Sequence, residues 1–301
     1  MCIFKKKICV THDGTFHADD IFSTAVFYII NNGNIKIIRT RDQKVFLKAN
    51  YLYDVGEEYN PDLNKFDHHQ NGSPLRENGI PYAAFGLIWK KYGEQICWSK
   101  NVADKIEKKI VLPIDMSDNG IDISTPVFKS IFNYTIDDLF KICFPTWKEN
   151  DKYINKIFKA QVLKAVELLK REIKIAKDDV EGEKILIESY NQSQNKKILI
   201  LNINLPRYLY QNFLSRYSET IYIILPSKNF TNWKIEAIRK NENTLESKRP
   251  FPENWRGVTD KDELIKISGI SDIQFCHKNG FLSETKTKEG AISLAEKSLI
   301  S

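Results

Sequence analysis

The sequence predicts a two-domain α/β protein with a parallel-sheet N-terminal domain, a long helix, and a smaller, β-rich α/β C-terminal domain. Three observations predict this architecture. Short apolar runs alternate with amphipathic segments at first, a single helical periodicity follows, and strand-like runs separated by polar turns come last. A length of 301 residues also favours two domains over one core. We therefore place the domains at 1–150 and 181–301, with a connector helix at 151–180.

The N-terminal domain begins with a buried strand at residues 8–10, followed by a loop and an amphipathic helix. Asp19 and Asp20 lie in the first turn of this helix, where carboxylates suit the helix dipole and capping. "IKIIRT" and "NYLYDVG" predict two further strands, and "YAAFGLIWKKYG" and "NVADKIEKKIVLPI" predict helices. Buried strands that alternate with helices are typical of a parallel sheet.

The connector helix rests on apolar residues that recur at helical spacing from position 154 to position 173. They are Ile154, Ile157, Phe158, Val162, Val166, Leu169 and Ile173. The texture of the chain then changes. "KILIES", "KKILILNI", "TIYIILP" and "WKIEAIRK" each predict a strand, and "FPENWRGVTDKDELIKISGI" and "FCHKNGFL" close the C-terminal domain.

Composition restricts the class of protein. The net charge of +6 is compatible with a polyanionic substrate but too small for a nucleic-acid packaging protein. Five cysteines without a CxxC pair argue against a disulfide framework or a structural zinc site and favour a reducing compartment. "MCIFKKKICV" is interrupted by lysines too early for a signal or transit peptide, and no apolar run approaches the ~18–20 residues that span a bilayer. We expect an intracellular protein, cytoplasmic or nuclear, without membrane contact; a mitochondrial location stays open.

Four of the five histidines stand in two short N-terminal strings beside carboxylates. The first string carries His12, His17 and Asp19, and the second, "DHH", carries His68 and His69. Asp54 lies between the strings. His12 and Asp54 follow predicted strands, and ligands of open α/β sheets bind outside the carboxyl ends of the strands. The sequence therefore predicts a ligand site at this edge of the sheet.

Imidazoles and carboxylates without a thiolate suit Mn²⁺ or Mg²⁺ better than structural zinc. "PIDMSDNG" adds Asp115 and Asp118, spaced to share one face of a helix end. So many carboxylates favour two metals, because bridging carboxylates hold two cations ~3.5–4 Å apart. Each piece has a plainer interpretation: Asp19 as a helix cap, Asp118 as part of a turn, His17 as a loop histidine. The metal site would be absent only if all of these plainer interpretations were correct at once.

The strings "THDGTFHADD", "RTRD", "DVGEEYNPDLNKFDHHQ", "SDNGI", "FPENWRG", "CHKNGF" and "KTKEGA" resemble signatures of one family, in that family's order and over almost the whole chain. It is the Myg family (melanocyte-proliferating-gene proteins) of the DHH phosphoesterase superfamily. Its members were once catalogued as metal-dependent protein hydrolases and are now regarded as RNA exonucleases. The resemblance implies a DHH-phosphoesterase-like fold.

The resemblance also implies roles for single residues. His12, His17 and Asp54 would hold one metal, and Asp54 would bridge to the other. The second metal would take Asp19, His68 and either Asp115 or Asp118, a choice that stays open. His69 would contact the scissile phosphate. Substrate contacts from the C-terminal domain would come from Arg256, His277 and Lys286.

Three departures from the family pattern stand out. Asp20 replaces the second acidic residue of a usual Asp-Glu pair, and Ala83 and Ala84 replace small hydroxyl residues. A glycine-rich stretch after "GF" is replaced by Leu282-Ser283-Glu284, which bears on the substrate contacts of the C-terminal domain because glycine permits close backbone approach to phosphate.

The resemblance implies a metal-dependent phosphodiesterase, a 3′–5′ RNA exonuclease that uses two divalent cations on single-stranded RNA, and a homodimer is compatible with it. One alternative is a hydrolase of small phosphoanhydrides or short nucleotides, which would share every metal ligand. Another, of a different class, is a non-catalytic, metal-stabilised RNA-binding protein. That class would be expected to have lost a ligand, and none is lost here.

Overall fold

The computed structural model describes residues 5–301. The first four residues lie outside the described part, so the predictions that concern Cys2 and the start of the chain fall there too. The chain divides into two compact units, one reaching Lys177 and the other covering Asp178–Ser301. The fold is α/β as predicted, with one five-stranded sheet in each unit.

The first sheet has the strand order β2-β1-β3-β5-β4. Its strands are β1 (Lys7–Thr11), β2 (Ile35–Arg39), β3 (Tyr51–Tyr53), β4 (Tyr59–Asn60) and β5 (Lys65–Phe66). β2, β1, β3 and β5 are parallel, and only the two-residue β4 is antiparallel to its neighbour. The predicted parallel sheet is therefore confirmed, and its carboxyl ends all meet at one edge.

Within residues 5–153, six α-helices precede the long helix. They are α1 (Ala18–Ile30), α2 (Gln43–Phe46), α3 (Ala84–Cys97), α4 (Lys100–Ile106), α5 (Leu112–Asp118) and α6 (Ile136–Lys141). α1 buries ten consecutive residues from Ala18 to Phe27. The helix predicted at 101–114 is interrupted by a π-helical segment at Glu107–Val111. This segment ends two residues before Pro113, whose ring nitrogen cannot donate a helical hydrogen bond.

Gly86 on α3 permits a close approach between α3 and α5. A Cβ atom at this position would lie 1.8 Å from a carboxylate oxygen of Asp115. Any larger residue would therefore collide with this buried carboxylate, which is paired with Arg76. This contact matters because α5 ends at Asp118, one of the predicted metal ligands.

α7 (Ile154–Gln192) is longer than the predicted connector, and the strand predicted from "KILIES" at 184–189 is wrong. In the helix, Leu186 is fully buried against the cluster that contains Leu205 and Leu209, while the neighbouring Ile187 is 45% exposed. One buried side chain in this stretch fits one face of a helix that packs on the core. A short apolar run cannot by itself distinguish a strand from a helix.

The second sheet has the order β6-β7-β8-β10-β9. Its strands are β6 (Ile198–Ile200), β7 (Tyr222–Pro226), β8 (Trp233–Ala237), β9 (Ile273–Cys276) and β10 (Leu282–Thr285). β6 and β7 are parallel, and the other pairs are antiparallel. The helices are α8 (Arg207–Leu214), α9 (Lys261–Ser268) and α10 (Lys288–Ile300). Over residues 5–301, no helix is long and apolar enough to cross a membrane.

Candidate metal centre

Three neighbouring parallel strands bring the two histidine strings together. Each strand is followed immediately by a polar residue of the site: β1 by His12, β3 by Asp54 and β5 by Asp67. In the sheet, β3 lies between β1 and β5. The side chains that follow the three strands therefore converge at one edge, as the positions of His12 and Asp54 predicted.

One group of possible ligands consists of His12, Asp20 and Asp54, and all three are buried. Nε2 of His12 lies 3.1 Å from Oδ2 of Asp54 and 3.3 Å from Oδ2 of Asp20. Sequence reasoning did not include Asp20 among the ligands. It reaches the site because the first turn of α1 faces the end of β1.

A second group consists of Asp19, His68 and Asp118. Nε2 of His68 lies 3.2 Å from Oδ2 of Asp118. The backbone N–H of Phe85, at the N-terminus of α3, donates to Oδ1 of Asp19 at 2.7 Å. Oδ2 of Asp19 is buried and has no hydrogen-bond partner among residues 5–301. One oxygen of this carboxylate is thus fixed, and the other is left for a ligand.

Asp54 connects the two groups. Its Oδ2 faces His12, while its Oδ1 lies 3.5 Å from Nε2 of His68. The backbone of Asp54 has φ 55°, in the left-handed region that aspartate tolerates better than most residues. This conformation places the carboxylate between the two histidines, where a bridging ligand would have to stand.

Asp67 orients His69. Oδ1 of Asp67 lies 2.7 Å from Nδ1 of His69, and the backbone N–H of Glu57 donates to Oδ2 of Asp67 at 2.6 Å. Burial raises the pKa of Asp67, but hydrogen bonds from His69 and from backbone groups outweigh it and lower the pKa below its ordinary value. The side chain of His69 is 58% exposed, against 7% for His68. The two adjacent histidines therefore occupy different environments.

Asp115 does not join the site. Its carboxylate accepts hydrogen bonds from the Arg76 guanidinium at 2.6 Å and from the backbone N–H of Gly86 at 3.0 Å. Of the two aspartates left open by the sequence, Asp118 is the one that faces the histidines. His17 lies at the edge of the cluster, with Nδ1 3.5 Å from Oδ1 of Asp118 and its ring centroid 6.2 Å from that of His12.

The electrostatics of the cluster reflect four crowded carboxylates. Burial lowers the pKa of His12, but hydrogen bonds to Asp20 and Asp54 outweigh it and raise the pKa to about 10. Burial also lowers the pKa of His68, but hydrogen bonds with Asp118 and Asp54 outweigh it and raise the pKa of His68 to about 11. Burial also raises the pKa of Asp19 and that of Asp20. Without a cation, protons must balance this negative charge.

The donor set fits divalent cations. Carboxylate oxygens and imidazole nitrogens are ligands that Mn²⁺ and Mg²⁺ accept, and cation binding would displace the protons that the histidines hold. The unpartnered oxygen of Asp19 is a second indication, since a buried carboxylate oxygen without a partner is costly unless a ligand satisfies it. The site thus has the character of a divalent-metal centre.

A cavity of about 860 Å³ opens beside the cluster. Asp54, Asp67 and His69 line one part of it, and Arg41 and Lys65 line another. Both basic side chains have acidic neighbours. Nε of Arg41 lies 3.6 Å from Asp13, and Nζ of Lys65 lies 2.5 Å from Glu58. The volume is within the range of ligand pockets, roughly 300–1,000 Å³. Sequence reasoning did not identify Arg41 or Lys65, although Arg41 belongs to the "RTRD" string.

The predicted substrate residues of the second unit lie around one hairpin. Nε of Arg256 donates to the carbonyl of Phe251 at 2.7 Å. His277 precedes the turn of the β9–β10 hairpin, and its ring centroid lies 4.4 Å from that of Phe281. Lys286 follows β10, and its backbone N–H donates to the carbonyl of Asp272. The substrate role of these residues stays a prediction.

A buried cluster of histidines and carboxylates at the carboxyl ends of parallel strands is an arrangement suited to metal-dependent hydrolysis. Comparison with known proteins gives the particular family. The family model MYG1_exonuc, described as Uncharacterised protein family (UPF0160), matches residues 7–299. The chain belongs to this family.

Relatives match over nearly the whole chain. "MYG1 protein" from Dictyostelium discoideum is 30% identical over 97% of this chain and 96% of its own length. "MYG1 exonuclease" from Homo sapiens is 26% identical over 96% of this chain and 85% of its own length. Among solved structures, the pGpG-specific phosphodiesterase PggH from Vibrio cholerae is 13% identical over 98% of this chain and 97% of its own, with a TM-score of 0.31. A score this low supports no further inference.

Proposed function

We propose that this chain is an exoribonuclease that removes nucleotides from the 3′ end of single-stranded RNA with the help of two divalent cations. The observation that carries the proposal is the Asp54 carboxylate, whose two oxygens face separate groups of ligands. Two cations that share a carboxylate form the centre common to many phosphodiester-cleaving enzymes. The name exonuclease, carried by the human relative, supports a polynucleotide substrate.

The geometry suggests how the ligands divide. His12, Asp20 and Asp54 would hold one cation, and Asp19, His68 and Asp118 would hold the other beside Asp54. We propose Mn²⁺ or Mg²⁺ for both positions because no thiolate takes part. Such cations supply charge stabilisation to a phosphoryl group and lower the pKa of a nearby water.

The protein's own contribution begins with His69. Because Asp67 occupies Nδ1 of His69, Nε2 is the ring nitrogen left for a substrate oxygen. Contacts from Asp67 raise the pKa of His69, which favours the protonated, hydrogen-bond-donating form. His69 also lines the 860 Å³ cavity, so a phosphate placed there meets an oriented donor. We assign His69 to the scissile phosphate.

The second unit would bind the RNA away from the cleaved bond. A guanidinium offers paired donors and a permanent charge to phosphate, and one nitrogen of Arg256 is already anchored on the carbonyl of Phe251. That anchor would present the remaining donors of Arg256 in a fixed direction. His277 and Lys286 would add further contacts to the terminal nucleotide or its phosphate.

The test is a comparison of substrates with end-labelled single-stranded RNA, DNA of the same sequence, and pyrophosphate. Each is incubated with Mn²⁺, Mg²⁺ or a chelator, with label at either end. We expect stepwise shortening of RNA from the 3′ end in the presence of metal only. Asp54→Asn should abolish it, because an amide lacks the charge that a bridge between two cations requires. Hydrolysis of pyrophosphate alone would instead indicate a small-molecule phosphoanhydride hydrolase.

A further inference from the structure

A second cavity lies between α5 and the segment at residues 121–136. We call it the α5–α6 cavity; its volume is about 580 Å³. Ile110, Pro113 and Ser117 line it from one face of the helical stretch that ends in α5. Phe132 and Tyr134 line it from the opposite segment. The metal centre described above uses none of these residues.

The α5–α6 cavity adjoins the metal centre along the chain. Ser117 and Gly120, which both line the cavity, stand on either side of Asp118. Asp118 itself lies about 100° around the helix from Ser117 and faces His17 and His68. One helix end thus presents a metal-site carboxylate on one face and the wall of the cavity on the next.

The far end of the segment is also attached to the metal-site elements. Asp137, in the first turn of α6, accepts a buried hydrogen bond from the backbone N–H of Ala18 at 2.9 Å. Ala18 follows His17 directly. The ring of Phe140 on α6 packs against Phe22 of α1, with centroids 5.6 Å apart. Both ends of the segment are therefore held beside the cluster.

The aromatic rings of this cavity are largely exposed. The exposed fraction is 75% for Phe132 and 66% for Tyr134. Ligand sites are typically concave and lined by apolar and aromatic side chains. The polar lining is electrically balanced, with Lys109 and Asp122. The cavity therefore suits a flat, uncharged, aromatic group rather than an anion.

We propose that the α5–α6 cavity binds a nucleobase of the single-stranded substrate, stacked against Phe132 and Tyr134. The inference rests on the proposed function, which places a phosphodiester at the neighbouring cluster and thereby brings bases to this wall. Stacking on aromatic side chains tolerates any base sequence, as an exonuclease requires. A protein partner is the competing occupant, and the test below separates the two.

The test compares Phe132→Ala and Tyr134→Ala with Phe128→Ala as a matched control. Phe128 lies in the same segment and is 68% exposed, but it does not line the cavity. Two substrates are used: single-stranded RNA, and a short abasic ribose-phosphate oligomer, a small phosphodiester without any aromatic ring. Loss of one stacking ring should lower kcat/KM on RNA by about five-fold to a hundred-fold and leave the small phosphodiester unaffected. Phe128→Ala should match the wild type on both.

A binding measurement in chelator provides a readout that does not depend on turnover. A single strand that contains 2-aminopurine should lose fluorescence on binding the wild type, because stacking quenches this base, and should lose less on Phe132→Ala. Equal behaviour of the Phe132 and Phe128 variants, or equal losses on both substrates, would overturn the inference and leave the surface to a protein partner. A wild type inactive on both substrates would instead contradict the proposed function itself.

Discussion

His68 and His69 are adjacent in the chain but differ in every contact that bears on chemistry. His68 is buried between Asp54 and Asp118, whereas His69 is half exposed and held by Asp67. Adjacent residues in an irregular segment can turn to different surroundings without the alternation that a strand imposes. These two environments match the proposed roles, a metal ligand for His68 and a substrate contact for His69.

His68→Ala should lower both metal content and turnover, whereas His69→Ala should lower turnover and keep the metal. The reason is that His68 lies among the ligand atoms, while the proposed partner of His69 is the substrate. Metal analysis of both purified variants, alongside their rates on RNA, checks this expectation. Equal metal loss in the two variants would mean that the division of roles is wrong.

Single residues also show where sequence reasoning fails. His12 and Asp54 could be predicted because each follows a strand. Asp20 could not be predicted as a site residue, because an aspartate in the first turn of a helix is explained by capping alone. It does act as one, because the backbone N–H of His17 donates to its Oδ1 at 2.9 Å. Its other oxygen turns to His12. One carboxylate thus caps the helix and also faces His12, and the sequence indicates only the cap.

At the scale of elements, α5 is positioned by a buried ion pair. The Arg76 side chain is 9% exposed, that of Asp115 is fully buried, and Arg76 also contacts Glu107 at 2.7 Å. Breaking a buried pair is costly because it leaves an uncompensated charge. Arg76 comes from the loop after His69, so the pair connects the loop of the histidines to the helix that carries Asp118.

Arg76→Ala should lower the free energy of unfolding by about 3–5 kcal/mol, because Asp115 would be left buried and unpaired. Asp118→Asn should lose the metal, while its metal-free form should lose less stability than Arg76→Ala, because only the contacts of Asp118 with His17 and His68 are weakened. Urea unfolding in chelator measures the first effect, and metal analysis measures the second. Lys100→Ala is the control, since its exposed pair with Asp104 should contribute at most about 1 kcal/mol. Metal loss without destabilisation in Arg76→Ala would contradict this assignment.

The elements themselves were predictable to different degrees. Two of the three strands that carry the site, β1 and β3, have apolar sequences that predict them, and the structure confirms both. The two-residue β5 was not predicted, because Lys65 and Phe66 form no apolar run. The helical course of residues 184–189 was not predictable from local pattern, because its outcome depends on Leu186 packing beside Leu205 and Leu209. Contacts between residues distant in sequence decide such cases, and a short apolar run carries no information about them.

At the scale of the whole molecule, the residues of the candidate metal centre and the predicted RNA-contacting residues belong to different units. All members of the cluster lie in the first unit, and Arg256, His277 and Lys286 lie in the second. The order of these strings along the chain, together with the match of the family model over residues 7–299, made the family predictable from sequence. The substrate was not, because the same metal ligands serve RNA and small phosphoesters alike.

Arg256→Ala should weaken RNA binding and turnover while metal occupancy and folding stay intact. Its effect should shrink as salt rises, because part of the lost attraction to phosphate is screened. RNA affinity and exonuclease rate at two salt concentrations measure this. Lys266→Ala, which removes an exposed charge from α9 of the same unit, is the control for net charge. Wild-type affinity of Arg256→Ala at low salt would leave the second unit without its proposed phosphate contact.

The most direct test of the two-cation proposal is a crystal structure of the protein soaked in Mn²⁺, with anomalous differences measured near the manganese edge. We predict two anomalous peaks, one on either side of the Asp54 carboxylate and about 3.5–4 Å apart. One peak should lie beside His12 and Asp20, and the other beside His68 and Asp118. A single peak, or two peaks that do not share Asp54, would contradict the account.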